Sequence, residues 1–200
     1  MKKVKLIIII SSMILVGFLV IWFGVFNVSA KDKHWNITTK ILEFVRERSI
    51  EVRADDIQVP DLSIHSMISS GAKNFDAMCA QCHLSPTTEP TELNLGLYPQ
   101  PPVFYKEKHS GHGEQNTFWT IKNGLKLTGM PAWGDFHTDK QIWEMVAFLK
   151  KINGMSRIDY IQLVGEGGHT HKENSEHSIG GHDSNNISND SDDSHGNHGH

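Results

Sequence analysis

Cysteine is nearly absent from this chain: 200 residues hold two, Cys79 and Cys82. That excludes a disulfide scaffold, and a bridge between two such close residues would close a tiny loop and constrain the unfolded chain little. An excess of positive charge is also missing. Nineteen Lys and Arg face 23 Asp and Glu, for a formal net charge of -4, so the basic footprint of a nucleic-acid binder is not there. No alternating polar and apolar run of useful length occurs, which removes a sheet as the organising element. No repeat recurs at a fixed period, so a solenoid or propeller is excluded too. Beyond Gly165 the chain has no aromatic residue and almost nothing apolar; such a segment cannot bury enough surface to offset its ordering entropy and is expected to be disordered.

Three lysines, Lys2, Lys3 and Lys5, precede an apolar run from Leu6 to about Phe26. About 20 residues of this kind span a hydrocarbon core of roughly 30 Å as a helix. Val28-Ser29-Ala30 satisfies a signal-peptidase pattern, but the apolar stretch of a cleaved signal is shorter, about 7–15 residues. An uncleaved anchor over residues 1–30 is therefore favoured. The basic flank keeps the N-terminus on the cytoplasmic side, which predicts a single-pass inner-membrane protein whose remainder is periplasmic.

Residues 31–61 carry Ile37, Ile41, Phe44 and Val45 at helical spacing among charges, and they are expected to form one amphipathic helix serving as a stalk or brace. Trp35 suits either the lipid headgroup level or the surface of the next domain. Residues 62–164 are the expected globular domain, of a size common for a single core. Its helical signals are SIHSMISSGAKNFDAMCAQCH, EQNTFWTIKNG with Gly124 as its stop, and DKQIWEMVAFLKKING with Gly154 as its stop. Between the first two lies a long Pro- and Gly-rich stretch that needs something to organise it. The fold class is all-α, with residues 165–200 as a His-rich tail.

The two cysteines stand in Cys79-Ala80-Gln81-Cys82-His83. A C-x-x-C pair serves as a disulfide, a thiol redox centre, half of a zinc site or a cofactor attachment. The redox reading expects a neighbouring βαβ pattern, and the zinc reading expects a second ligand pair; neither is found. His83 completes C-x-x-C-H, the signature of covalent c-type haem attachment. Two thiols about one helical turn apart can each bond a haem vinyl group, while the next residue offers its imidazole to the iron. Far downstream, Leu127-Thr128-Gly129-Met130-Pro131-Ala132-Trp133-Gly134 places a methionine in a tight, proline-stiffened turn. Met67, Met78 and Met145 sit at helical spacing and read as core filler. Met130 does not, and with haem present it is the candidate second axial ligand.

Residues from about Ile64 to Ile152 resemble a small class I c-type cytochrome. The resemblance rests on Gly71 and Phe75 ahead of the Cys-x-x-Cys-His motif, the Gly-Met-Pro-Ala-Trp loop and the final helix. The stretches LYPQPPVF and FWTIKNGLKLTGMPAWG further resemble a bacterial subgroup of membrane-attached monohaem cytochromes. The resemblance implies one covalent haem c, with Cys79 and Cys82 as thioether positions and His83 and Met130 as the axial ligands of its iron. It also implies a close helix crossing of Gly71 with Phe148, and a backbone carbonyl of Pro101 or Pro102 that accepts the His83 Nδ1–H. Trp119, Trp133, Tyr98 and Phe104 are expected to line the pocket.

Such a domain is an electron-transfer protein rather than an enzyme, cycling iron between Fe(III) and Fe(II), since His/Met ligation fills both axial positions. Its partners would be redox proteins of the membrane or periplasm, with Lys122 and Lys126 either a docking patch or ordinary solvated charges. Two alternatives differ in class. One is a haem sensor or peroxidase with a labile Met130. The other is a metal-binding protein acting through His169, His171, His177, His182, His195, His198 and His200, whose imidazoles suit Cu, Ni or Zn.

Overall fold

The structure, a computed structural model, describes residues 2–25, 27–106 and 113–167, and all regular structure among them is helical. Helix α1, Lys2–Trp22, has no buried residue and is long and apolar enough to cross a membrane. Helix α2 spans Asn36–Ala54 and turns only Ile50 and Ala54 fully inward. The stripe that predicts this helix, Ile37, Ile41, Phe44 and Val45, faces outward and is exposed.

The core lies between α3, His65–Asn74, and α7, Asp139–Ile152. Seven large or apolar side chains of α7 are buried: Ile142, Trp143, Met145, Val146, Ala147, Phe148 and Ile152. Its start is fixed by a capping box in which Thr138 Oγ1 accepts from Gln141 N and the Gln141 side chain accepts from Thr138 N. The two helices meet at Gly71. A Cβ there would collide with the backbone carbonyl of Glu144 and stand 3.0 Å from Phe148 Cβ, so the expected crossing is present, made chiefly against backbone and then against Phe148. Phe75 and Phe148 continue the contact with ring centroids 5.3 Å apart.

Beyond Asn74 the helix widens into a π-helical turn over Phe75–Cys79 before α4, Ala80–His83, resumes normal pitch. Leu84 then takes φ 58°, a region disfavoured for a side chain with Cβ, and reverses the chain. Helix α5, Glu92–Gly96, interrupts the Pro-rich stretch; α6, Glu114–Asn123, packs against α2 and α7. A 3₁₀ turn at Trp133–Asp135 leads into α7.

Helix α8, Arg157–Glu166, closes the domain on α3. Sequence reasoning did not single it out. Tyr160 anchors it, fully buried beside Phe148 with its hydroxyl donating to Asp76 Oδ1 at 2.8 Å. Gly167 packs on the Ser69 backbone, where a Cβ would not fit, and Glu166 meets His65 Nε2 at 2.8 Å. Helix α8 thus runs past the expected start of the tail at residue 165, and the tail histidines from His169 onward lie outside the described residues.

Candidate functional site

The α4 segment delivers its side chains because the carbonyls at its end are held from the Pro-rich stretch. Thr91 Oγ1 donates to the Gln81 carbonyl and Asn94 Nδ2 to the Cys82 carbonyl, both at 2.6 Å. Gln100 Nε2 in turn donates to the Asn94 carbonyl at 2.6 Å. Asn94 is buried, so this chain of bonds satisfies polar groups that would otherwise be costly to bury. The long loop is organised by the very motif it surrounds.

His83 is oriented by the same stretch. Its Nδ1 lies 2.9 Å from the Pro102 carbonyl. A carbonyl only accepts, so Nδ1 carries a proton, and in the neutral ring Nε2 is then the nitrogen with the lone pair. Of the two expected acceptors, Pro101 and Pro102, the structure selects Pro102. Phe104 stacks on the imidazole with centroids 4.7 Å apart.

The Met130 turn is built on Gly124, which ends α6 with φ 66°. A Cβ on Gly124 would stand only 2.7–2.8 Å from Ala132 N, Pro131 C and Met130 O. Glycine is therefore demanded twice, by its conformation and by the approach of the turn. Leu125 N donates back to Met130 O at 3.1 Å, and Met130 N donates to Thr128 Oγ1 at 3.1 Å. The Thr128 hydroxyl donates onward to the Leu125 carbonyl at 2.8 Å.

These elements enclose one cavity of about 510 Å³ bordered by Cys79, Cys82, His83 and Met130. Phe75, Phe104, Ile121, Trp133 and Leu149 supply apolar wall. Met78 and Met145, read from spacing as core filler, border it as well. Of the four expected aromatics, Phe104 and Trp133 are on the cavity. Tyr98 instead accepts the His34 N–H at 2.8 Å, and Trp119 is not part of the lining. The wall has a further contributor in the helix expected as a stalk or brace: Glu43, Arg46, Glu47 and Ile50 of α2.

The two cysteines are not bonded to each other. Burial, and secondarily the neighbouring Cys82, pushes the Cys79 thiol up to about 12. The Cys82 thiol is also raised by burial. A thiol held protonated is a poor redox nucleophile or thiolate ligand at neutral pH. Among the described residues no group of three or more His, Cys, Asp or Glu is assembled for a metal ion. A large apolar cavity with two neutral thiols, an oriented imidazole and a thioether on its border fits haem, and fits zinc or thiol exchange poorly.

Residues 66–149 match the family model described as cytochrome C oxidase, cbb3-type, subunit III. The segment is a class I c-type cytochrome domain. The match covers less than half of the chain, leaving α1, α2 and α8 outside it. Comparison with curated proteins gives no match. A cytochrome domain of this kind implies covalently bound haem c and haem-based electron transfer. On the surface beside its methionine turn, Lys122 is engaged with Asp139 at 2.6 Å, while Lys126 is exposed.

Proposed function

We propose that the chain is a membrane-anchored one-electron carrier of a bacterial envelope electron-transfer chain, with Cys79 and Cys82 as the thioether positions and His83 and Met130 as the axial ligands. The observation that carries this reading is the apolar cavity bordered by all four of those residues. Bound haem supplies the Fe(III)/Fe(II) couple. His83 contributes a ring whose proton is committed at Nδ1 to Pro102, which leaves the Nε2 lone pair for a metal and raises the basicity of the ring. Met130 contributes a polarizable sulfur on a turn held at both of its backbone groups. Phe75, Phe104 and Trp133 keep water from the site, which favours small reorganisation on electron exchange.

Helix α1 serves in this reading as the anchor, with the cytochrome domain on the periplasmic side. The family description names a subunit of an oxidase, which points to membrane redox complexes as the class of partner. The test is spectroscopic. The oxidised protein should show the weak absorption at the red edge of the visible range that marks a methionine–Fe(III) bond. Met130→Ala should abolish it and let the reduced protein bind carbon monoxide. A wild-type protein that lacks the band and binds carbon monoxide readily is a haem sensor or peroxidase instead.

A further inference from the structure

Helix α2 is amphipathic in the opposite sense from a helix that merely packs on its domain. Its inward face is polar at mid-length, where Glu43, Arg46 and Glu47 border the haem cavity. Its outward face carries Ile37, Ile41, Phe44, Val45 and Val52 at helical spacing, and Phe44 is 69% exposed. Trp35, the residue just before the helix, is 77% exposed. The part from Ile37 to Val45, unbroken by charge on that face, forms an apolar patch of the kind that marks an interaction surface.

Three observations identify what covers it. First, the apolar residues crowd toward one end: Trp35, Ile37, Ile41, Phe44 and Val45 lie in the first half, whereas Arg48, Glu51 and Arg53 occupy the second. The apolar end is the one nearest α1 in the chain. Second, the link from Trp22 to Asn36 keeps the start of α2 within about 45 Å, its fully extended reach, of where α1 leaves a bilayer. Third, the residues beside the patch suit a headgroup layer. Lys31, Lys33 and Lys40 flank its membrane-proximal end, and Trp35 has the amphipathic ring favoured at that depth.

We propose that α2 lies in the bilayer interface through Trp35, Ile37, Ile41, Phe44 and Val45, holding the haem cavity on its opposite face next to the membrane surface. This rests on reading α1 as an uncleaved anchor. The His34–Tyr98 contact, a 2.8 Å hydrogen bond with the two rings edge to face, fastens the start of α2 to the cytochrome domain. The domain is thereby oriented as well as tethered, and the cavity stands about one helix diameter, roughly 10 Å, from lipid. Exchange with partners embedded in the membrane then requires lateral diffusion and no reorientation.

The test uses the full-length, haem-loaded protein in its native membrane, with Phe44 replaced by the photo-crosslinking residue p-benzoylphenylalanine. Irradiation should give lipid adducts at this position and none at Ile158, a residue of α8 that is at least as exposed. An adduct to a second copy of the chain or to another protein overturns the proposal in favour of a protein interface. No adduct at position 44 overturns it in favour of a solvated face. Alkaline carbonate extraction separates this from the anchor: release of the chain refutes both readings, whereas retention without a lipid adduct refutes the α2 proposal alone.

Discussion

Substituting Gly71→Ala probes the crossing on which the cytochrome core is built. Two effects oppose each other. Alanine in place of glycine inside a helix gains about 1 kcal/mol of propensity. Against it, the added methyl falls inside the Glu144 backbone carbonyl and 3.0 Å from Phe148 Cβ. Overpacking costs typically about 1–3 kcal/mol and sometimes more. The obstacle here is backbone of a capped, buried helix, which cannot rotate away, so the cost belongs at or above the upper end. The net is a loss of about 2 kcal/mol. For a domain of this size, about 4–8 °C of melting temperature accompanies each kcal/mol, which predicts a fall of roughly 8–16 °C in the thermal unfolding of the haem-loaded protein followed by circular dichroism. Gly165→Ala is the matched control, since a Cβ there meets nothing within 4 Å, and it should leave the melting temperature unchanged or raise it slightly. A Gly71→Ala protein that melts with the wild type would refute the account of the crossing.

Other outcomes follow from single contacts. Tyr160→Phe removes the hydroxyl that donates to Asp76, and should cost about 1–2 kcal/mol; the denaturation midpoint would fall, and amide exchange in α8 would rise more than in α7. Thr138→Ala breaks the capping box of α7 and should cost about 1 kcal/mol, with Thr138→Ser recovering most of it. Glu114 is held below its ordinary carboxylate range, chiefly by the hydrogen bond from Lys150 at 2.6 Å. Because its folded-state pKa is depressed, the stability it contributes is full above the unfolded pKa and is lost as pH falls through the folded one. Glu114→Gln should therefore flatten the decline of stability on acidification below about pH 4.5, and an unchanged slope would show that the pair contributes nothing.

Much of the site is legible in the chain because its chemistry is local. Cys79, Cys82 and His83 are adjacent, and Met130 stands out since a methionine between glycine and proline has no helix face to fill. The carbonyl that orients His83 is narrowed to Pro101 or Pro102 by the resemblance, which implies a loop carbonyl at that ring, and the structure supplies Pro102. What escaped is relational. Periodicity found the apolar stripe of α2 and not what it faces, since spacing marks a face without naming what covers it. In the sequence Glu43, Arg46 and Glu47 are only charges between the apolar positions, and nothing in their spacing places them on the cavity. The π-helical turn at Phe75–Cys79 leaves no signature in residue spacing, although it helps set where both cysteines emerge. Helix α8 is weakly patterned, and its one fully buried side chain is a tyrosine, which composition alone does not separate from a surface residue.

The central claim is covalent haem at Cys79 and Cys82, and one measurement tests it most directly. The chain, produced in a host competent for export and haem attachment, should be purified under denaturing conditions and its absorption recorded as the pyridine haemochrome. The account predicts one haem per chain that remains bound through denaturation and shows the spectrum of two saturated vinyl groups. A chain that carries no haem, or releases it on denaturation with both vinyl groups intact, would contradict it.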